Sequence, residues 1–178
     1  MFQSASENYQ KFFLFSMKLL ITVKLFYLDP IRNLLGRSGK KFFKRFFMAK
    51  ILIIEDSDSV RISLKNILTP DGHEVVEAVN GLDALSQLEN AHDFDVILCD
   101  INMPEMNGME FIKEQCNHES YCDIPTVMCT TESHPRLTQE AKQTGVVRAW
   151  LMKPFKPEIL KATIERILKE NEAKRSAG

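Results

Sequence analysis

Short apolar segments recur along the chain from residue 48 onward, at positions 51–54, 75–76, 96–99, 126–129 and 149–152. Within each segment the apolar residues are largely consecutive and do not alternate with polar ones. Consecutive apolar residues are typical of parallel strands, because helices cover such strands on both faces. The pattern therefore predicts five buried parallel strands.

The segments between these strands show helical periodicity. Apolar side chains stand at i, i+4, i+7 and i+8 in the first and the last of them: Val60, Leu64, Ile67 and Leu68, then Leu160, Ile164, Ile167 and Leu168. Turn-forming residues separate the elements, such as Pro70 and Gly72 after the first helix and Gly145 after the fourth. Strands that alternate with helices predict a doubly wound α/β domain, with right-handed crossovers and helices on both faces of the sheet.

Polar side chains stand where four of the predicted strands end. Glu55 and Asp56 follow the first strand, Asp100 follows the third, Thr130 the fourth and Lys153 the fifth. In doubly wound sheets, ligands bind outside the carboxyl ends of the strands, near the point where the strand order reverses. We therefore expect these five side chains to converge at one edge of the sheet.

The chemistry of this set favours phosphoryl transfer. Three carboxylates beside one ammonium group repel one another, so a divalent cation is expected, and oxygen ligands suit Mg²⁺. A carboxylate can act as a nucleophile toward phosphorus, and Lys153 and Thr130 can then bind the phosphoryl oxygens. Each acid by itself also suits a helix cap. Independent caps, however, give no reason for the Lys153-Pro154 pair or for the hydroxyl of Thr130.

Four motifs occur in order after the first, third, fourth and fifth strands: Glu55-Asp56-Ser57, Asp100-Ile101-Asn102-Met103-Pro104, Thr130-Thr131-Glu132 and Lys153-Pro154-Phe155. With these motifs, residues 48–170 resemble the receiver domain of two-component response regulators, of the stand-alone chemotaxis (CheY-like) type. The resemblance implies a flavodoxin-like, five-stranded parallel sheet of order 2-1-3-4-5.

The resemblance also implies roles for the acidic residues. Asp100 would be the phospho-acceptor and would take its phosphoryl group from a sensor histidine kinase or a histidine phosphotransfer protein. Asp56 and Asp100 would bind Mg²⁺ directly, together with the backbone carbonyl of Asn102. Glu55, where many members have Asp, would act through water.

Further roles are implied around the acceptor. Lys153 would pair with the phosphoryl oxygens, and the Lys153-Pro154 bond is cis in the family. Thr130 would move toward the phosphoryl group on activation, and Trp150 stands where the family has an aromatic or other switch residue. Asn102 and Glu132 stand at the positions that tune how fast water removes the phosphoryl group.

The resemblance and the composition together predict output by protein binding. The fourth helix has few apolar residues, so we expect the partner, a flagellar switch or another protein, at the face made by helix 4, strand 5 and helix 5. Residues 171–178 form only a short tail. Residues 48–178 carry 14 basic and 22 acidic side chains, a net charge of −8, which disfavours nucleic acid as a partner. A phosphorelay intermediate and a regulator outside chemotaxis remain alternatives.

The first 47 residues have a different composition. They hold nine of the 12 Phe and nine basic against two acidic residues, a net charge of +7. Lys18 and Lys24 interrupt their apolar stretch, which disfavours a membrane span, and the features of a secretory signal are missing. We expect a cytoplasmic protein whose residues 1–47 lie upstream of a true start at Met48 or are disordered. If residues 1–47 are native, they predict binding to anionic lipid.

Other protein classes fit the sequence less well. A phosphatase of this architecture usually carries a second Asp two residues after its nucleophile, where this chain has Asn102. A flavodoxin-like electron carrier needs a phosphate loop without acids after the first strand, and a receiver that binds without phosphorylation would lack an essential side chain. We therefore expect a signalling protein that catalyses only its own phosphorylation and dephosphorylation. The four Cys have no metal-ligand spacing, so we expect buried, reduced thiols.

Overall fold

The computed structural model describes residues 48–91 and 93–175. Within these ranges, strands and helices alternate: β1 (Lys50–Ile54), α1 (Asp58–Leu68), β2 (Glu74–Ala78), α2 (Gly81–Asn90), β3 (Val96–Cys99), α3 (Gly108–Asn117), β4 (Thr126–Thr130), α4 (Pro135–Gln143), β5 (Val147–Met152) and α5 (Pro157–Arg175). The predictions for residues 1–47 lie outside the described residues.

The five strands form one parallel sheet of order β2-β1-β3-β4-β5. After β2 the chain crosses to the other side of β1, so the direction of winding reverses between β1 and β3. This arrangement confirms the predicted doubly wound α/β fold. It also places the reversal point at the carboxyl ends of β1 and β3, where ligands bind in such folds.

Two apolar layers cover the two faces of the sheet. Successive side chains of a strand point to opposite faces, and β1 shows this division. Leu52 and Ile54 belong to the layer that contains Phe111 of α3, whereas Ile51 and Ile53 belong to the layer that contains Leu160 of α5. These four of the five β1 side chains are at most 1% exposed. The consecutive apolar residues of β1 are therefore explained by burial on both faces.

The prediction of burial is wrong for two of the five strands. β1, β3 and β4 are buried almost throughout, but β2 and β5 are largely half-exposed. The reason is their place in the sheet, because an edge strand has a neighbouring strand on one side only.

The two glycines predicted as turn residues follow the first and the fourth helix as expected, and an Asn side chain caps the second helix. Gly72 and Gly145 have φ angles of 89° and 77°, a left-handed conformation that glycine adopts without steric cost. The side chain of Asn80 accepts a hydrogen bond from the backbone N–H of Asp83 at the start of α2. Among the helices of the described ranges, none is long and apolar enough to cross a membrane.

Candidate functional site

Backbone hydrogen bonds fix two acidic residues at the carboxyl edge of the sheet. The N–H of Glu55 donates to the carbonyl of Ala78 at 3.1 Å, and the N–H of Asp100 donates to the carbonyl of Ile54 at 2.9 Å. These bonds extend the ladders of β1 with β2 and β3 by one residue. Both acids are therefore held by the sheet and not by a free loop.

Three carboxylates converge at this edge. Glu55, Asp56 and Asp100 each place one carboxylate oxygen so that the three oxygens lie within 4.8 Å of one another. Glu55 and Asp100 are 3% and 7% exposed, whereas Asp56 is open to solvent. The structure thus brings together the three acids that the sequence places at strand ends, and Asp56 is the solvent-exposed one of the three.

Lys153 reaches the same cluster from the end of β5. Its ammonium group forms a hydrogen-bonded ion pair with the Glu55 carboxylate, and its Nζ lies 3.2 Å from Oδ1 of Asp100. The backbone N–H of Lys153 donates to the carbonyl of Thr130 at 2.9 Å, which ties the end of β5 to β4. The Lys153-Pro154 peptide bond is cis.

Burial and charge act on both partners of this ion pair. Burial raises the pKa of Glu55, and the hydrogen bond and charge of Lys153 offset only part of that rise. Burial lowers the pKa of Lys153, but the hydrogen bond and charge of Glu55 and the charge of Asp100 together outweigh it, so the pKa of Lys153 is raised. Lys153 therefore stays a cation near neutral pH.

A chain of hydrogen bonds leads from the cluster to β5. The N–H of Asn102 donates to Oδ2 of Asp100 at 3.2 Å, and the Asn102 side-chain amide donates to Oε1 of Glu132 at 3.1 Å. The N–H of Glu132 donates to the buried hydroxyl of Thr130 at 3.1 Å. The indole N–H of Trp150 donates to the backbone carbonyl of Glu132 at 3.2 Å. Glu132 thus bonds to Asn102, which contacts Asp100, and to Trp150 of β5.

The donor set suits a hard divalent cation. The three converging groups are all carboxylates, and the ammonium of Lys153, which contacts two of them, offsets only one of their three negative charges. Mg²⁺ prefers oxygen ligands and is usually bound by one or two carboxylates with water and phosphate oxygens. The residues present therefore fit Mg²⁺.

The comparisons with known proteins agree with this geometry. The sequence model of the family described as "Response regulator receiver domain" matches residues 51–165. The chain belongs to this family. Receiver domains are signalling domains that bind Mg²⁺ at an acidic pocket of this kind.

Proteins named as chemotaxis proteins are among the similar sequences. The chain is 39% identical over 120 residues to a chemotaxis protein CheY homolog of Campylobacter jejuni, which covers 67% of this chain and 92% of the relative. It is 36% identical over 124 residues to chemotaxis protein CheY1 of Helicobacter pylori, which covers 69% of this chain and 99% of the relative.

Solved receiver structures share the fold. The structure of chemotaxis protein CheY4 of Vibrio cholerae matches with a TM-score of 0.63 at 42% identity, over 67% of this chain and 98% of that one. A CheY-like receiver domain protein of Methanospirillum hungatei matches with a TM-score of 0.66 at 28% identity, over 71% and 98%. The CheY-like receiver fold is therefore shown.

Two residues of the receiver site escaped the sequence analysis. Gly108 begins α3, and a Cβ at this position would lie 2.0 Å from the carbonyl oxygen of Asp100, so only glycine allows this approach. Arg61 is buried beneath the loop of the acids and donates to the backbone carbonyls of Glu55 and Asp56. The signal for Arg61 was its place three residues before Leu64, on the apolar side of α1.

Trp150 is the fourth of the six residues of β5. Its ring is half-buried and packs against the core layer on the α3 side of the sheet. Packing and the hydrogen bond to residue 132 together determine its position. The same hydrogen bond connects the indole to Glu132, whose carboxylate accepts a bond from Asn102 beside Asp100.

The four cysteines are free, and two of them are more exposed than predicted. Cys99 and Cys129 are buried, and burial raises the pKa of the Cys129 thiol to about 12 and that of Cys99 well above its ordinary value. Cys116 and Cys122 are half-buried, because α3 and the turn after it lie at the surface. The thiols of Cys99 and Cys129 are therefore protonated near neutral pH.

Proposed function

We propose that this protein is a single-domain response regulator that accepts a phosphoryl group on Asp100 and signals by binding a protein partner. One observation carries the proposal. The buried Asp100 carboxylate has one oxygen 3.2 Å from the Lys153 ammonium and lies within 4.8 Å of the Glu55 and Asp56 carboxylates. This is an acceptor beside a cation, at an acidic pocket that fits Mg²⁺.

Each residue of the site has its own role in the proposed phosphoryl transfer to Asp100. A carboxylate oxygen of Asp100 attacks the phosphorus of a phosphohistidine, the P–N bond breaks, and the imidazole leaves with an acyl phosphate formed on Asp100. Lys153 faces the incoming phosphoryl oxygens through its contact with Asp100. Asp56, Asp100 and the backbone carbonyl of Asn102 would hold Mg²⁺ directly, and Glu55 would act through water. When bound, the ion supplies positive charge that offsets the charge on the phosphoryl oxygens.

We infer that the switch uses Thr130 and Trp150, which are connected through the backbone of Glu132. The Thr130 hydroxyl accepts the N–H of Glu132, and the Glu132 carbonyl accepts the indole of Trp150. A Thr130 hydroxyl that turns toward the phosphoryl group would release the N–H of Glu132 and shift the carbonyl on which the indole depends. The phosphorylated state would then differ at the face made by α4, β5 and α5, where we place the output partner.

The partners follow from this chemistry. The phosphoryl donor would be a sensor histidine kinase or a histidine phosphotransfer protein in the cytoplasm. The output partner would be a protein, such as a flagellar switch, because the similar proteins of Campylobacter and Helicobacter are named as chemotaxis proteins. A phosphorelay intermediate, or a regulator outside chemotaxis, is the alternative. The chain would catalyse only its own phosphorylation and dephosphorylation.

The fluorescence of Trp150, the one tryptophan of the chain, tests the proposal. We expect the full chain to change its emission when Mg²⁺ and then beryllofluoride or acetyl phosphate are added, and Asp100→Ala to show no response to the phosphoryl analogue. Intact mass after acetyl phosphate separates the parts of the proposal. An adduct with silent fluorescence retains Asp100 and removes Trp150 from the switch, whereas no adduct on the wild type contradicts phosphorylation.

The residues beside the acceptor should set the lifetime of the phosphorylated state. The Asn102 amide and the Glu132 carboxylate hydrogen-bond to each other at 3.1 Å beside Asp100, where a hydrolytic water must approach. We expect Asn102→Arg and Glu132→Lys to change the rate of phosphoryl loss without preventing phosphorylation. Decay of the adduct measured by mass would count against these roles if both variants decayed at the wild-type rate.

A further inference from the structure

Arg61 of α1 has its side chain turned back beneath the acidic loop. Its Nη1 donates to the backbone carbonyl of Glu55 at 2.6 Å and to that of Asp56 at 3.1 Å. Its Nη2 contacts the carboxylate of Asp58, and its Nε lies 3.6 Å from Oε2 of Glu77. One guanidinium therefore bonds to both consecutive residues that carry the acidic pair after β1.

This arrangement is specific to arginine. The residue is 9% exposed, so its charge is held in place by protein groups and little by water. A guanidinium presents its donors in a rigid planar fork, and lysine has neither the fork nor its geometry. The guanidinium donates to two backbone carbonyls and contacts the Asp58 carboxylate. The Glu77 carboxylate lies slightly farther away, at 3.6 Å.

A second element holds the guanidinium from the other side. Glu77 of β2 lies opposite Ile53 of β1 in the register of the sheet. Its carboxylate contacts Arg61 and also accepts a bond from Lys65 at 2.5 Å. The position of the guanidinium is thus set by the sheet as well as by α1. The guanidinium in turn holds the backbone of Glu55 and Asp56 through its two hydrogen bonds.

We propose that Arg61 is a positioning residue of the metal site: it fixes the backbone of Glu55 and Asp56 so that their carboxylates meet Asp100 in the arrangement that Mg²⁺ requires. This inference rests on the proposed function, because it concerns the ion of that site. Mg²⁺ demands nearly octahedral geometry, so a loop that is free to move binds it less well. Groups that hold the ligands of a metal typically contribute about 10- to 100-fold to its affinity.

The sign of the effect separates positioning from electrostatics. Arg61 is itself a cation close to the site, and by charge alone its removal should tighten the binding of Mg²⁺. Loss of positioning should weaken the binding. Arg61→Met removes both the charge and the fork, whereas Arg61→Lys keeps the charge and removes the fork. We expect both variants to bind Mg²⁺ more weakly, which a purely electrostatic role does not allow.

Isothermal titration of the full chain with Mg²⁺ measures this affinity without phosphorylation. The matched control is Arg166→Met, because Arg166 is exposed on α5 and its guanidinium pairs with Glu170 of the same helix. We expect the dissociation constant to rise about 10- to 100-fold in Arg61→Met and Arg61→Lys. We expect no change in Arg166→Met.

Urea unfolding of each variant shows whether it is folded at the titration temperature. If Arg61→Met is unfolded, Arg61→Lys decides, because it keeps the charge, and weaker binding in this folded variant supports the inference. Wild-type affinity or tighter binding in the folded variants overturns it while the proposed metal site stands. A wild-type chain that does not bind Mg²⁺ overturns the proposed metal site and this inference with it.

Discussion

Glu55 shows how a single residue of the site influences the stability of the whole domain. Burial raises its pKa, so the folded protein holds the Glu55 proton more tightly than the unfolded chain does. Stability therefore falls as the pH rises from the ordinary Glu pKa of 4.5 through the folded value. The raised pKa of Lys153 affects stability in another pH range. The stabilisation that it gives the folded state is complete below pH 10.5 and is lost at higher pH.

Glu55→Gln should remove the acidic part of this dependence. Glutamine resembles the protonated carboxyl, so the variant avoids the cost of the buried charge. We expect its free energy of unfolding to exceed that of the wild type by an amount that grows between pH 4 and pH 7. Urea unfolding across this range measures the difference, with the exposed Glu119→Gln as the control. A difference that stays constant or shrinks as the pH rises contradicts the prediction.

Gly108 shows the opposite case, a residue that matters by having no side chain. A Cβ there would lie 2.0 Å from the backbone oxygen of Asp100, so the loop that follows Asp100 would have to move. We expect Gly108→Ala to lose about 1–3 kcal/mol of stability, the usual cost of overpacking, and to accept phosphate from acetyl phosphate more slowly.

Gly81→Ala is the matched control for Gly108. Gly81 also begins a helix, but a Cβ there would meet the side chain of Met106, which can rotate away. The loss in urea unfolding should therefore be smaller for Gly81→Ala than for Gly108→Ala. Equal losses would mean that the contact with Asp100 carries no special cost.

At the scale of elements, the helices differ in how much of each is buried. α3 buries Gly108, Met109, Phe111, Ile112 and Gln115, whereas Ala141 is the buried residue of α4. Apolar burial is the main source of local stability, and elements that rearrange come from the weakly buried end of the range. The small buried surface of α4 therefore suits an element that rearranges in the proposed switch.

Hydrogen exchange can test this difference between the helices directly. We expect backbone amides of α4 to exchange faster than those of α3 in the unphosphorylated protein, because opening α4 exposes little apolar surface. Addition of Mg²⁺ and beryllofluoride should change exchange in α4 and β5 more than in α3. Equal protection of α3 and α4, with no response to the analogue, would argue against α4 as a mobile element.

At the scale of the whole molecule, the receiver domain accounts for about two thirds of the chain. The matched segments cover 67–69% of this chain but 92–99% of the Campylobacter and Helicobacter relatives. We propose that residues 48–170 are the receiver domain and that translation begins at Met48. The intact mass of the endogenous protein tests the start, and a mass that includes residues 1–47 would falsify it.

Should residues 1–47 be part of the endogenous protein, their net charge of +7 and nine Phe predict binding to anionic lipid. The full chain should then sediment with vesicles that contain anionic lipid, and the chain that begins at Met48 should stay in solution. Both chains staying in solution would exclude a lipid-binding role for the segment.

The sequence by itself determined the strands, the helices and the edge at which the acids meet. Consecutive apolar residues are typical of parallel strands, and residues that follow parallel strands must share one edge of the sheet. The strand-end positions of Glu55, Asp56, Asp100 and Lys153 therefore suffice to place these four residues together. The resemblance of their motifs to receivers added the strand order, which local patterns do not contain.

The tertiary structure alone decided which groups touch. Glu55 and Lys153 are 98 residues apart, and no local pattern states that their charges pair. The same holds for the indole of Trp150 on the carbonyl of residue 132, 18 residues away, and for Gly108 against the backbone of Asp100. Arg61 interrupts an apolar stripe, but its partners are backbone carbonyls, which every residue has. Contacts of this kind depend on distances and directions that only the packed chain defines.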